Sequence, residues 1–198
     1  MAVVSEFRRL LGGFEQWMPQ LSDGQVDLLG AHYAKLRQWM GKMNLTSLTI
    51  GEEIVLRHYV ESLWLGTRIP AWVCTVVDAG SGAGFPGVPI AVLQGGRRVR
   101  LVEADRRKAV FLRESTLGIL NLEVTSERLE RLRGEVDAVV SRGVRVDEVL
   151  SFARAHAKWC GVLTSAEIAG KFSWEGCEQL PWDPEHVVAF LKVPRETP

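Results

Sequence analysis

Apolar residues follow two regimes along the chain, and the change comes near residue 70. Before it they recur at helical spacing. Val26, Leu28, Leu29, Tyr33, Leu36, Trp39 and Met40 form one periodic stretch, opened by Ser22 and Gln25 at the separation of a capping box. Thr49 and Glu52 repeat that separation before a second stretch, about residues 53–65, whose apolar face reads Ile54, Val55, Tyr59 and Leu63. Residues 1–70 therefore predict a small N-terminal helical region, two or three helices packed on the main domain. From residue 71 to 198 the texture alternates. Short β-branched runs at 73–77, 99–102, 122–125, 136–140, 161–165 and 187–193 predict strands, and 177–182 carries only a weak strand pattern. Residues 88–93, 108–117 and 146–158 read as the helices between them. Alternation of this kind predicts an α/β, Rossmann-like domain, a mostly parallel central sheet with helices on both faces. Its ligands would bind at the carboxyl ends of the strands, at the switch point.

Composition narrows the classes. The 198 residues balance 24 Lys+Arg against 24 Asp+Glu, and 46% are hydrophobic. That excludes an intrinsically disordered chain. It also excludes binding nucleic acid through bulk charge, though not through a local patch. No apolar run reaches the ~20 residues of a membrane span. Glu6, Arg8, Arg9 and Glu15 break the first residues, so they do not read as a secretory signal. The three cysteines, Cys74, Cys160 and Cys177, are scattered and odd in number, with no CxxC. The expectation is a cytoplasmic protein with no metal and no membrane partner.

The chemistry concentrates in Asp78-Ala79-Gly80-Ser81-Gly82-Ala83-Gly84-Phe85-Pro86-Gly87, between a strand and a helix. Glycines here let the backbone turn at positive φ and approach a ligand with no Cβ in the way. Two patterns fit. Gly82, Gly84 and Gly87 satisfy GxGxxG, the dinucleotide fingerprint. Gly80, Gly82 and Gly84 satisfy GxGxG with Asp78 at the strand end, which is similar to the first motif of class I S-adenosylmethionine-dependent methyltransferases. Asp78 suits a ligand with a cationic end better than a pyrophosphate, which it would repel. Glu103, 19 residues after Gly84 and at the end of the next strand, can accept both hydroxyls of a ribose in either cofactor class.

Further segments narrow the resemblance. Asn44-Leu45-Thr46, Arg57-His58, Glu61-Ser62, the glycine loop with Pro86-Gly87, the basic pair Arg107-Lys108 and Ser141-Arg142 stand in order over residues 44–142. In this order the chain resembles the ribosomal RNA small-subunit methyltransferase G family, also called GidB. The resemblance implies a class I methyltransferase that carries a methyl group from S-adenosylmethionine to N7 of one guanine in 16S ribosomal RNA of the 30S subunit, and a monomer is expected. It implies that Gly80 and Phe85 line the cofactor, that main chain near Leu129 and Glu130 touches it, that Glu103 holds its ribose, and that Arg142 sits near the methyl end. Asn44, Arg57 and His58 become candidate catalytic residues on the same ground. Arg142 reads as a positioning group, because guanine N7 carries a free lone pair and needs no base.

Arg97, Arg98, Arg100, Arg106, Arg107, Lys108 and Arg113 form the one local excess of positive charge, with Glu103 and Asp105 the only acids among them. Arg106, Arg107 and Lys108 are the candidate RNA contacts. The seven tryptophans are scattered and read as packing residues. One departure stands out. The family has a Leu-Lys-Gly turn after the fifth strand, where this chain has Ser165-Ala166-Glu167 and no lysine before Lys171. Two other expectations therefore stay open: a methyltransferase-fold protein with another substrate, and a catalytically silent RNA- or ribosome-binding relative.

Overall fold

The computed structural model describes residues 2–193. Helix α1 (Ala2–Gly12) buries Phe7 and Leu11, and helix α2 (Asp23–Met40) buries Leu29, Tyr33 and Leu36. Both bonds of the Ser22–Gln25 capping box form: the Gln25 N–H donates to Ser22 Oγ at 3.3 Å, and the Ser22 N–H to Gln25 Oε1 at 2.9 Å. The second box does not form. Helix α3 (Gly51–Ile54) starts after Ile50 with no side-chain cap. The single helix expected over 53–65 is three pieces: α3, a π-helical segment (Val55–Val60) and helix α4 (Glu61–Arg68). Apolar periodicity is blind to one extra residue per turn, and π segments of this kind favour functional sites.

Seven strands form one sheet: β1 (Thr75–Ala79), β2 (Arg98–Val102), β3 (Leu122–Thr125), β4 (Val136–Arg142), β5 (Ala157–Ser165), β6 (Gly176–Leu180) and β7 (Asp183–Lys192). Their order is β3-β2-β1-β4-β5-β7-β6. Strands β1 to β5 pair in parallel, and β7 runs antiparallel to both β5 and β6. Helices α5 (Gly87–Leu93), α6 (Arg106–Ser115) and α7 (Val146–His156) supply the main crossovers, and α8 (Ala166–Ala169) is a single turn after β5.

Several boundaries differ from those expected of the sequence: β1 runs over Thr75–Ala79 and not 73–77, α6 over Arg106–Ser115 and not 108–117, and three others shift as well. Helix α7 stops at His156, and Lys158 lies in β5, its ammonium 3.0 Å from Asp137 on β4. Strand β7 begins at Asp183 because its polar residues 183–186 continue the ladder beyond the apolar run. The weak pattern at 177–182 is the edge strand β6, whose outward residues Cys177 and Gln179 are exposed.

Adjacent residues of β1 serve opposite layers. Val76 faces a core containing Phe7, Tyr33, Tyr59, Leu63, Ile90 and Phe111. Val77 faces a second core with Val139, Val149, Phe152 and Val162. The N-terminal helices thus share a core with the sheet. Phe7 meets the rings of Tyr33 and Tyr59 at 5.3 and 4.9 Å. The tryptophans pack: Trp159 is fully buried, and Trp182 lies against Trp17 and Trp64. Among the described residues no helix is long and apolar enough to cross a membrane.

Because α1 closes this shared core, Phe7→Ala should destabilise the whole chain by about 3–5 kcal/mol. Urea denaturation should show one transition at lower midpoint. A separate early transition with the main one unmoved would mean that α1 is a detachable appendage.

Candidate functional site

The switch point lies between β1 and β4, where the strand order reverses, and the glycine loop sits there. Gly80, Gly82 and Gly84 have φ of 69°, 56° and 96°. An L side chain is strained at each of these angles. Gly87 serves another need. A Cβ on it would strike the Leu101 side chain of β2 and come within 2.7 Å of Asp78 Oδ2. Gly80, Gly82 and Gly84 therefore make the turn, and Gly87 is a packing residue. Main-chain bonds fix the turn: the N–H groups of Gly80 and Ser81 both donate to Val102 O, at 2.9 and 3.0 Å.

Asp78 departs from its expected role. Its carboxylate is fully buried and accepts the Gly87 N–H at 2.9 Å. Its other oxygen is buried with no hydrogen-bond partner among the described residues. Burial pushes the carboxyl up to about 7, against the pull of the Gly87 N–H. Asp78 lies beneath the loop and ties β1 to α5, so it does not face a ligand's cationic end. Phe85 is also turned inward. Its ring is buried, stacked on His58 at 4.6 Å and edge-on to Tyr59 and His32. Only its main chain is left to line a ligand.

Glu103 stands at the expected place, just past β2. Its two oxygens accept the N–H groups of Gly82 and Asp105, both at 2.8 Å. A carboxylate has lone pairs for further donors, so ribose hydroxyls remain compatible with it. Gly82, where a Cβ would meet only Gly80 O at 3.9 Å, gives close access beside it. Leu129 and Glu130 form a 3₁₀ turn after β3, with Leu129 against the layer of Val77, Ala79 and Val102. Loop, carboxylate and turn thus surround the carboxyl ends of β1, β2 and β3, an arrangement that fits an adenosyl cofactor.

On the β4 side, residues from distant segments converge. Arg142 ends β4 with its guanidinium 2.8 Å from Glu61, which is 1% exposed. Arg57, one helical turn before Glu61, lies 3.6 Å from it and pairs with Asp183 at the start of β7. His186 Nδ1 is 2.8 Å from Asp183 and 3.1 Å from Arg57. His58 points the other way, between the Phe85 ring and Thr46 Oγ1 at 2.7 Å. Burial, with the positive charge of Arg142 next, pushes it down to about 3. His58 is therefore neutral near pH 7. Asn44 is exposed on the loop after α2. That loop is tied at Lys42 O by Arg107 (3.4 Å) and at Thr46 by His58.

The basic stretch divides. Arg98 and Arg100 sit at the start of β2, with Arg100 paired to Glu123, and Arg97 donates to the carbonyls of Ile69 and Pro70. Arg106, Arg107 and Lys108 lie at the opposite end, opening α6, whose cap is Asp105. Glu61, Asp183, His186, His32 and Tyr59 were not singled out as site residues from sequence. The Arg57–Glu61 spacing was a visible signal, but the approach of β7 is purely tertiary.

The strand order, the antiparallel seventh strand and the glycine loop define the class I methyltransferase fold. TrmN from Thermus thermophilus aligns with a TM-score of 0.55 at 16% identity, over 68% of this chain and 48% of that one. Magnesium protoporphyrin IX methyltransferase from Synechocystis aligns at 0.55 and 15% identity, over 82% of this chain and 94% of that one. In sequence, the profile of GidB, rRNA small subunit methyltransferase G, matches residues 25–164. Relatives called ribosomal RNA small subunit methyltransferase G are 35% identical in Roseiflexus sp. (strain RS-1), over 68% of this chain and 61% of the relative, and 33% in Dictyoglomus thermophilum, over 75% and 67%. In Lactococcus lactis the figure is 28%, over 90% of this chain and 87% of the relative. The chain belongs to the rRNA small subunit methyltransferase G family. It spans 61% and 67% of the Roseiflexus and Dictyoglomus relatives' lengths.

The neutral His58 gives a pH signature. The unfolded chain takes up this proton near pH 6.5 and the folded chain only near 3, so His58 costs stability as pH falls through that window. The slope is at most about 1.4 kcal/mol per pH unit. His32, lowered to about 4, acts in the same sense, and Asp78, raised to about 7, acts in the opposite one. Only a difference between variants isolates His58. The stability advantage of wild type over His58→Gln should shrink steadily from pH 7 to pH 4.5 in denaturant titrations. A constant difference would show that His58 protonates alike in both states.

Proposed function

We propose that the protein is an S-adenosylmethionine-dependent methyltransferase acting on N7 of a guanine in 16S ribosomal RNA within the 30S subunit. The observation that carries this reading is the joint placement of the GxGxG loop and Glu103 beside Arg142 and Arg57, in a chain that belongs to this family. Membership of this family favours an adenosyl cofactor over a dinucleotide. S-adenosylmethionine supplies, when bound, a methyl group on a cationic sulfur. Glu103 holds the ribose, Gly80 and Gly82 allow close contact, and main chain at Phe85, Leu129 and Glu130 completes the cradle.

The reaction asks for alignment and exclusion of water. Guanine N7 offers a lone pair, the N–C bond forms as the C–S bond breaks, and the bonding electrons leave with sulfur. No proton has to be removed first, which agrees with a His58 that stays neutral and hydrogen-bonded. Alignment of this kind supplies about 7–11 kcal/mol. Arg142, Arg57, His58 and Asn44 shape the substrate side. Arg106, Arg107 and Lys108 contact phosphates. They open α6 beside its Asp105 cap, with Arg106 and Arg107 exposed at the end of the sheet where Glu103 stands.

One observation favours a second reading, a methyltransferase with another substrate. The turn after β5 carries Ala166 and an exposed Glu167, which pairs with Lys171 at 3.0 Å, where the family has its lysine.

Incubation with labelled S-adenosylmethionine and 30S subunits lacking the modification should yield 7-methylguanosine at one site, identified by mass spectrometry. Gly80→Asp should abolish cofactor binding in calorimetry, since a side chain there strikes Val144 and adds charge. Cofactor binding without transfer to 30S subunits would move the assignment to the second reading. Arg106→Glu with Arg107→Glu should weaken subunit binding and lower its salt slope by roughly 2. An unchanged slope would remove these residues from the interface.

A further inference from the structure

Glu61 has no assigned role, and its surroundings are unusual. It is among the few charged residues fully withdrawn from water, at 1% exposure. Guanidinium groups flank it, Arg142 at 2.8 Å and Arg57 at 3.6 Å. Neither contact is a relaxed surface pair. Arg142 Nη1, which faces Glu61 Oε2, and Glu61 Oε1, which faces Arg57, are both buried with no hydrogen-bond partner among the described residues, so attraction between charges holds each contact. Burial pushes the Glu61 carboxyl up, and both arginines oppose that shift. Asp183 then balances Arg57, leaving two cations against two anions around the end of β4. Of the two arginines, Arg142 is the one that borders a groove, of about 760 Å³ at the carboxyl ends of β4 and β5, together with Leu163, Ser165, Ile168, Phe172 and His186.

This geometry meets a requirement of the proposed reaction. A guanine methylated at N7 becomes cationic as the bond forms. An uncompensated guanidinium beside it would raise the barrier, because two like charges a few ångströms apart repel strongly in a partly dry site. Yet a guanidinium is the natural partner for guanine O6. We propose that Glu61 is a positioning residue: buried between Arg57 and Arg142, it holds Arg142 at the mouth of the groove and cancels the charge that Arg142 would present to a purine turning cationic. Arg57, anchored by Asp183, keeps Glu61 from swinging away. The inference rests on the methyl-transfer reading and extends it to a residue that touches neither cofactor nor base.

The test is single-turnover methyl transfer to unmodified 30S subunits at saturating cofactor, with wild type as the control. Glu61→Gln keeps the shape and removes the charge. Its transfer rate should fall roughly tenfold or more, while cofactor affinity and half-saturating subunit concentration stay within about threefold. Glu61→Asp restores the charge and should recover most of the rate. A Glu61→Gln protein that transfers at the wild-type rate would overturn the proposal. So would a loss confined to cofactor or subunit affinity, or a folded Glu61→Asp no faster than Glu61→Gln. Should Glu61→Gln not fold, Asp183→Asn decides, since it loosens Arg57 without touching Arg142. It should slow transfer with affinities held, and an undiminished rate would count against the proposal. Failure of wild type to methylate 30S subunits would sink the proposed reaction itself, and is read separately.

Discussion

The hydrogen bond from the Gly87 N–H to the buried Asp78 carboxylate is the constraint on which the site depends. It seats the start of α5 directly on β1, so closely that position 87 has no room for a Cβ. With both ends of the loop held, three residues at positive φ must bridge them, and glycine fills all three. The same closure aims Phe85 away from the sheet and into the helical region, where its ring meets His58, Tyr59 and His32. The N-terminal helices are therefore registered against the loop. That register sets where Arg57 and Glu61 reach the end of β4. A buried carboxylate with one bonded oxygen is costly, and its raised affinity for a proton measures that cost. The return is a loop held at both ends by the protein's own hydrogen bonds.

Much of this was legible from residues. Strand and helix alternation from residue 71, the switch-point location and the roles of Gly80, Gly82 and Gly84 in the turn come from patterning and from the conformations that glycine permits. The position of Glu103 was legible too, because a strand end has few exits. What escaped has physical causes. The π segment inserts one residue per turn into a stretch whose apolar spacing still looks helical. The inward turn of Asp78 depends on how tightly α5 packs, and a motif does not encode packing distance. Helix α1 did carry a signal, since Val3, Phe7, Leu10 and Leu11 recur at helical spacing between charged residues.

The basic segment shows the limit of reading charge along a line. Seven cations within 17 positions look like one patch, yet β2 runs through the middle of them. A strand advances about 3.3 Å per residue, so Arg98 and Arg106 belong to opposite ends of the sheet. Only the group after the carboxyl end shares a face with Glu103. Arg97 and Arg100 do structural work, one on the carbonyls before β1 and the other on β3.

The two halves of the site divide the electrostatic labour. On the β1–β2 side the polar contacts are main-chain N–H groups, glycine turns and one carboxylate, which suit a neutral ribose and a cationic sulfur. On the β4–β7 side, two arginines and two carboxylates cancel almost on top of one another. Such pairs add little stability once their desolvation is counted, since an apolar cluster of equal volume serves as well or better. Their value lies in fixed geometry without net charge. In the proposed transfer, positive charge leaves the cofactor side and arrives on the base. A surround that is rigid, polar and neutral can receive that charge without first reorganising. The departure at Ala166 and Glu167 fits the same rule. Glu167 spends its charge on Lys171, so the groove's far wall also stays close to neutral. Under the proposed function, affinity for the phosphate backbone then comes from elsewhere on the surface, and the first turn of α6 is our candidate for it.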